Sequence, residues 1–237
     1  MTCIYTPKGK AREYAELALN IYYGCPHKCS YCYVPAATFR QKDDFHASVR
    51  PSKLDIKAGV GNVLLCFTSD PYPNGYDHAH TQEAIRRLHV AGYRPVVLTK
   101  NPAAALLHAE DLIATNAVVG TTITCGDEMA KEHESGAPLP SKRLEAMKHI
   151  AALGLDTWIS VEPVLEPDIV ENLVKQNQHI CVWKFGKLNH VKNTTDWVAY
   201  AAKVEEIIKS SVKRWMIKKD LWKVRKWGIA QSCNASF

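Results

Sequence analysis

The sequence predicts an α/β chain folded as a partial (β/α)6 barrel of the TIM type, with parallel strands and a basic, tryptophan-containing helical segment near its C-terminus. Two observations carry this. Apolar runs rich in β-branched residues alternate with stretches of helical periodicity, and each gap leaves room for one crossover helix. That alternation marks parallel βαβ units, and six of them suit an incomplete barrel, with a doubly wound open sheet as the alternative. The chain has 237 residues, 46% hydrophobic and 23% charged, which is enough for one sizeable core and excludes a disordered chain.

The elements follow in order. The first strand is expected at 19–24 (Leu-Asn-Ile-Tyr-Tyr-Gly), running straight into a cysteine-rich loop. The second is 62–68 (Asn-Val-Leu-Leu-Cys-Phe-Thr), followed by a helix at 78–91 and a third strand at 94–99. Asn101 followed by Pro102 reads as an N-cap with proline at the first helical position, opening a helix over 102–114. A strand at 117–124 precedes the longest loop, 126–139, part of which has helical character. A helix at 140–153 is closed by Gly154, then come a strand at 156–161, a helix at 167–176, a strand at 179–185 and a last helix at 196–211. Residues 1–208 are read as the barrel, and 209–237 as a basic extension packing on or beside it.

The formal charge of +6 is concentrated in that extension. Lys209, Lys213, Arg214, Lys218, Lys219, Lys223, Arg225 and Lys226 face a single acid, Asp220, and the rest of the chain is close to neutral. Any polyanion partner is therefore a question about the C-terminus. The first residues lack the apolar core of a signal peptide, and no apolar run approaches the roughly 20 residues that span a bilayer. With eight cysteines and no export signal, the expectation is a cytoplasmic protein, off the membrane, whose thiols are reduced and do metal or redox chemistry.

Those thiols have a pattern. Cys25-Pro-His-Lys-Cys29-Ser-Tyr-Cys32 lies directly after the first strand. Three thiolates on one loop can hold three corners of a [4Fe–4S] cluster, leaving the fourth iron open to an amino acid chelating through its amino and carboxylate groups. The alternative is a structural zinc with Cys3 or His27 as fourth ligand, although such sites usually use two separated cysteine pairs and no second CxxC exists here. His27 reads better as a residue that shapes the loop.

In a parallel barrel the chemistry collects at the C-terminal strand ends. Those ends carry the cysteine loop, Thr68-Ser69-Asp70, Thr99-Lys100, Thr122 and Thr124, Ser160 and Glu162, and Lys184. Small donors, carboxylates and ammonium groups on one rim suit a zwitterionic cofactor carrying a ribose.

At this point the sequence resembles the spore photoproduct lyase-like branch of the radical S-adenosylmethionine superfamily. The likeness runs from about Gly9 to Asn189. It rests on Gly9-Lys-Ala-Arg-Glu-Tyr14, Asn20 through Tyr33, Thr68-Ser-Asp-Pro-Tyr-Pro73, Leu98-Thr-Lys100, Thr122-Ile-Thr124, and Glu134 through Leu144. The resemblance implies a [4Fe–4S] cluster on Cys25, Cys29 and Cys32, with S-adenosylmethionine bound beside it. It sets Tyr33 beside the adenine, Ser69 and Asp70 at amino or ribose groups, Lys100 at the carboxylate, and Thr122 or Thr124 on the ribose side. It also implies an external one-electron donor of flavodoxin or ferredoxin type, and radical hydrogen abstraction from a substrate at the barrel mouth. Glu162 is the candidate substrate-facing group. Trp158, Phe67 and the 126–139 loop are candidates for excluding water.

One position departs from the family pattern. In spore photoproduct lyase a cysteine immediately before the Thr-Ser-Asp returns a hydrogen atom to the product; here Phe67 stands there, and Cys66 is one residue earlier. Strand alternation points Cys66 toward the helices, which puts dimer repair in doubt and makes Cys125 a substitute hydrogen donor to be tested. The substrate classes in view are a nucleic-acid base and, as alternatives, a peptide or small metabolite. A non-catalytic iron–sulfur or zinc binding module is the reading from another class. Trp215, Trp222 and Trp227 among the basic residues could stack bases, or could close the barrel with their lysines in water.

Overall fold

The computed structural model describes residues 2–189, 193–212 and 214–229. Seven strands form one parallel sheet: β1 (Leu17–Leu19), β2 (Gly61–Leu65), β3 (Tyr93–Thr99), β4 (Val118–Thr122), β5 (Thr157–Val161), β6 (Val182–Phe185) and β7 (Trp215–Ile217). Each strand pairs with the next in the chain, from β1 through to β7. An unreversed order with right-handed crossovers leaves all the helices on one face. The other face buries its own side chains by curling, and Leu64, Val96, Val118, Trp158 and Val182 meet there in one inner cluster. This is a half-barrel, not a doubly wound sheet.

The strands read as near-continuous apolar runs because both faces are covered. Val63, Leu65, Val97, Val119, Ile159 and Trp183 turn outward to the helical layer. That layer includes α1 (Val34–Ala37), α2 (Lys42–Ala47), α3 (Ala79–Val90), α4 (Pro102–Leu106), α5 (Ala109–Ala114), α6 (Asp127–His133), α7 (Pro140–Ala152), α8 (Val170–Gln176), α9 (Trp197–Ser211) and α10 (Lys219–Trp222). On α3 the buried Thr81, Ala84, Ile85 and Leu88 recur at helical spacing. Pro102 stands at the first turn of α4 and Gly154 follows α7 at φ +78°, as the sequence predicts. The expected 102–114 helix is broken at Leu107–His108, and the 126–139 loop contains α6.

The basic segment differs most from expectation. The expected boundary at 208/209 falls inside α9, and Trp215–Ile217 pairs with β6 as the seventh strand. Trp215 and Trp222 therefore share no helix. An open sheet edge beside β6 gives an aromatic and β-branched tripeptide more pairing than a terminal helix would. Trp222 and Trp227 stack on each other, with centroids 5.2 Å apart and planes 4° apart, and Trp227 Nε1 donates to the Trp222 carbonyl at 2.8 Å. All three tryptophans are partly buried and pack against the outer core. Lys213 and residues 230–237 of the expected extension lie outside the described residues. Among the described residues no helix is long and apolar enough to cross a membrane.

Candidate active site at the barrel mouth

The cysteine loop follows β1 and is held from three sides. Cys25 N–H donates to the Phe45 carbonyl at 3.1 Å, and the Ser30 amide donates to the His133 carbonyl at 2.9 Å. Gly136 lies so close that a Cβ there would come within 2.1 Å of the Pro26 carbonyl oxygen, and its amide donates to the His27 carbonyl at 3.0 Å. His27 is 1% exposed; its Nδ1 is 3.4 Å from Asp70 and its Nε2 accepts the Asn74 amide at 3.2 Å. It shapes the loop and is committed on both ring nitrogens.

Burial raises all three thiols above the ordinary cysteine range: Cys25 strongly, with Asp70 adding to it, Cys29 to about 11, and Cys32 to a lesser extent. The Lys100 ammonium opposes this at both Cys29 and Cys32 and so lies within electrostatic reach of two of the three sulfurs. The donor set fits a cluster better than a single zinc. Three thiols lie on one loop, two of them lining the same cavity, and a cubane takes its thiolates on separate irons. Cys3, the other proposed zinc ligand, is exposed on a two-residue strand (Thr2–Cys3) paired with Leu54–Asp55.

Beside the loop opens a cavity of about 430 Å³. Cys29, Tyr31, Cys32, Tyr33, Phe67 and Lys100 line one side; Tyr14, Glu162, Pro163, Lys187, Asn189 and Lys218 line the other, with Lys8 and Ala11 at the rim. Of the predicted site residues the structure thus brings together Cys29, Cys32, Tyr33, Lys100 and Glu162. Cys25 sits at the start of the same loop.

The other predicted residues have different partners. Asp70 has protein partners on both carboxylate oxygens. Oδ1 accepts from Thr99 Oγ1 at 2.6 Å and the Tyr72 amide at 2.8 Å, and Oδ2 accepts from the Lys100 amide at 2.8 Å. Burial works to raise its pKa, but His27, Thr99 and the Lys100 amide outweigh burial and hold it at about 2. Asp70 therefore ties β2, β3 and the cysteine loop together. Ser69 donates its hydroxyl to the Gly24 carbonyl. Thr122 and Thr124 are buried and Cys125 is fully buried, its Sγ 3.3 Å from Thr124 Oγ1; none of the three is in the cavity wall.

Glu162 is in the wall but is held in place. Its Oε2 accepts from the Tyr14 hydroxyl at 2.7 Å and is 2.6 Å from Lys218 Nζ. Lys218 is 4% exposed, lies 3.7 Å from the Tyr14 ring centroid, and reaches Glu13 at 3.7 Å. Burial and the Glu162 charge push the Tyr14 phenol well above its usual range. Deeper, Trp158 fills the barrel floor, with Nε1 donating to the Val97 carbonyl at 3.2 Å. Lys184 stands 4.5 Å from the Trp158 ring centroid and donates to the Tyr14 carbonyl at 3.2 Å. Burial, with the nearby Lys218 charge, pulls its pKa down to about 7.

Sequence reasoning assigned no role to Glu134 and Arg143, which are both fully buried. Glu134 receives the Tyr31 hydroxyl, Thr124 Oγ1 at 2.9 Å and Arg143 at 2.5 Å, and lies 3.5 Å from Lys100 Nζ. Arg143 also donates to the Pro138 and Thr122 carbonyls, at 2.7 and 3.0 Å. Burial works to raise the Glu134 pKa, and Lys100 and Arg143 outweigh it, holding it at about 2. This network sets the Lys100 ammonium between the cysteine loop and β4. The signal was available: Arg143 occupies the buried stripe of α7 with Ala146, Met147 and Ile150, where a cation needs a buried partner.

A parallel half-barrel with a three-cysteine loop and a cofactor-sized cavity at the C-terminal ends of its strands defines the class. The Radical SAM superfamily model matches residues 19–176, and the chain belongs to that superfamily of enzymes. Membership implies an iron–sulfur cluster, S-adenosylmethionine and a source of electrons. Among solved structures, the chain is similar to spore photoproduct lyase complexed with dinucleoside spore photoproduct (TM-score 0.63, 13% identity, 90% of this chain and 79% of that one). It is also similar to Streptococcus suis SuiB bound to S-adenosylmethionine (TM-score 0.58, 12% identity, 87% and 51%). Uncharacterized proteins of Mycobacterium bovis and Mycobacterium tuberculosis are 30% identical over 171 residues, 62% of this chain and 49% of theirs. The chain thus spans about half the length of the curated relatives it matches.

Proposed function

We propose that this protein holds a [4Fe–4S] cluster on Cys25, Cys29 and Cys32 and catalyses radical hydrogen abstraction from a substrate seated in the cavity at the barrel mouth. When bound, the cluster would supply the electron for reductive cleavage of S-adenosylmethionine to a 5′-deoxyadenosyl radical, with an external flavodoxin- or ferredoxin-type protein as the source. The observation that carries the reading is the cavity itself: two of the three thiols, Tyr33 and Lys100 face one space on the same side of the sheet.

This chain's own residues have separable tasks. Lys100, held by Glu134, offers an ammonium to a carboxylate at the cavity's edge. Tyr33 lines the cavity and is half exposed, so its ring is open to stacking on an adenine. Phe67 and Pro163 keep water from the reacting centre. Glu162, braced by Tyr14 and Lys218, offers its remaining acceptor capacity to the substrate. A nucleic-acid base is the substrate class that the likeness to spore photoproduct lyase supports. Return of hydrogen from a thiol at position 67 is not part of the proposal. Phe67 fills that position, and Cys66, at φ +64°, turns into the outer core among Leu65 and Ile21.

Anaerobic cluster reconstitution, dithionite reduction with S-adenosylmethionine and assay of 5′-deoxyadenosine test this. Product from the wild type and none from Cys29→Ala is expected. One bound zinc, no iron and no cleavage would overturn it in favour of a binding module.

A further inference from the structure

The proposed chemistry needs an electron from outside, and the cavity wall is only one side of the cysteine loop. On the opposite side of the loop, α2 and its flanks pack directly on Cys25. The Phe45 carbonyl accepts the Cys25 amide at 3.1 Å, and His46 Nδ1 lies 2.7 Å from the Cys25 carbonyl. Lys42 donates to the Ser30 carbonyl at 3.2 Å, inside the CxxxCxxC run, and its charge is felt at Cys32.

That outer face has the composition of an interface. Phe39 is 99% exposed and is held outward in the left-handed region, at φ +54°. Tyr23, 43% exposed, lines a hollow with Arg40, Arg50 and Pro51. Nothing among the described residues covers these rings fully, and aromatic and arginine residues are the side chains that dominate binding energy at protein interfaces. Among the described residues no carboxylate lies within 4.0 Å of Arg40, Lys42 or Arg50, although Asp43 and Asp44 open α2 beside them. The cations around the two rings are left for an outside anion.

We infer that the face formed by Tyr23, Phe39, Arg40, Lys42 and Arg50 is the docking surface for an acidic one-electron donor protein. The inference rests on the proposed radical chemistry and deepens it. The electron enters through the outer side of the cysteine loop while cofactor and substrate occupy the inner side, so the donor can dock without displacing them. Opposed charges accelerate encounter, and the aromatic pair fixes the docked orientation.

The test uses full-length, cluster-reconstituted protein and an acidic flavodoxin. Reduction of the cluster is followed by its visible absorbance after mixing with reduced flavodoxin, and separately with dithionite; flavodoxin affinity is measured by calorimetry. Arg40→Glu/Arg50→Glu is expected to slow reduction by flavodoxin on the order of tenfold or more, to flatten its dependence on salt, and to leave the dithionite rate unchanged. Phe39→Ala, which alters no charge, should weaken flavodoxin binding about fivefold or more, the loss of roughly 1 kcal/mol or more expected of an aromatic anchor. Wild-type flavodoxin rates in both variants would overturn the assignment. So would an equal loss with dithionite, which would place the effect in the loop's fold, or binding of an oligonucleotide at this face without flavodoxin. Failure of the radical chemistry itself reads differently: the wild type would then form no 5′-deoxyadenosine even with dithionite.

Discussion

Neutralising Glu134 tests whether the buried network behind the cysteine loop is as strained by charge as its geometry says. Glu134→Gln keeps the side chain's size and removes its charge, leaving the Arg143 guanidinium, 0% exposed, and the Lys100 ammonium, 12% exposed, without their common partner. Breaking a buried ion pair from one side costs about 3–5 kcal/mol. The pKa gives a second route to the number. A fall from 4.5 to about 2 corresponds to about 3 kcal/mol at neutral pH. For a chain of this size the melting temperature should drop by roughly 6–20 °C. The sign with pH follows from the depressed pKa. The wild-type contribution is fully present above the unfolded value near 4.5 and is lost as pH falls toward about 2. The deficit of Glu134→Gln should therefore be large at neutral pH and shrink in acid. Circular dichroism of the cluster-free proteins, in thermal and urea scans at several pH values, measures both. A second variant, Glu134→Leu/Arg143→Met, should recover part of the loss because the fully buried Arg143 charge is then no longer stranded, although Lys100 still lacks its partner. A deficit below about 1 kcal/mol, or one equally large at neutral and acid pH, would refute the reasoning.

Two further outcomes follow from the barrel interior. At Gly120 a Cβ would come within 2.3 Å of Trp158 Nε1, and that ring is fully buried and hydrogen-bonded to Val97. Gly120→Ala should cost about 1–3 kcal/mol by overpacking, seen in the urea midpoint; an unchanged midpoint would show that the indole can move aside. Lys184, pulled from 10.5 to about 7 by burial and Lys218, binds its proton more weakly folded than unfolded. Its penalty is thus complete below about pH 7 and disappears as pH rises toward about 10.5, so Lys184→Met should gain most over wild type at neutral pH and least near pH 10. A difference that does not vary with pH would place the lysine in a more polar setting than the Trp158 contact implies.

The sequence made the alternation of strands and helices legible because each parallel strand is apolar on both faces and each helix carries a single stripe. The cysteine loop was legible because its spacing is local. What escaped depends on contacts distant in the chain. Cys66 was expected to face the helices by strand alternation, and it does, but β2 ends at Leu65 and the left-handed backbone at Cys66 is what turns the thiol outward. The structural role of Asp70 was not legible because nothing local shows that Thr99, Tyr72 and the Lys100 amide converge on it. Trp215 read as helical because pairing with Trp183, 32 positions earlier, leaves no mark on its neighbours. Arg143 did leave a mark, as a cation within an apolar helical stripe, and that pattern alone was reason to look for a buried carboxylate.

Lys218 closes the cavity from the far end of the chain, bridging Glu13 and Glu162 next to Tyr14. In the order of synthesis this wall is the last to arrive. The cysteine loop leaves the ribosome more than 180 residues before β7, which at about 5–20 residues per second is a delay of roughly ten to forty seconds. Through that interval the loop has its thiols beside a mouth that still lacks one side. Any group that the cavity admits therefore meets a wider mouth in the nascent chain than in the finished protein, where Lys218 stands in the wall.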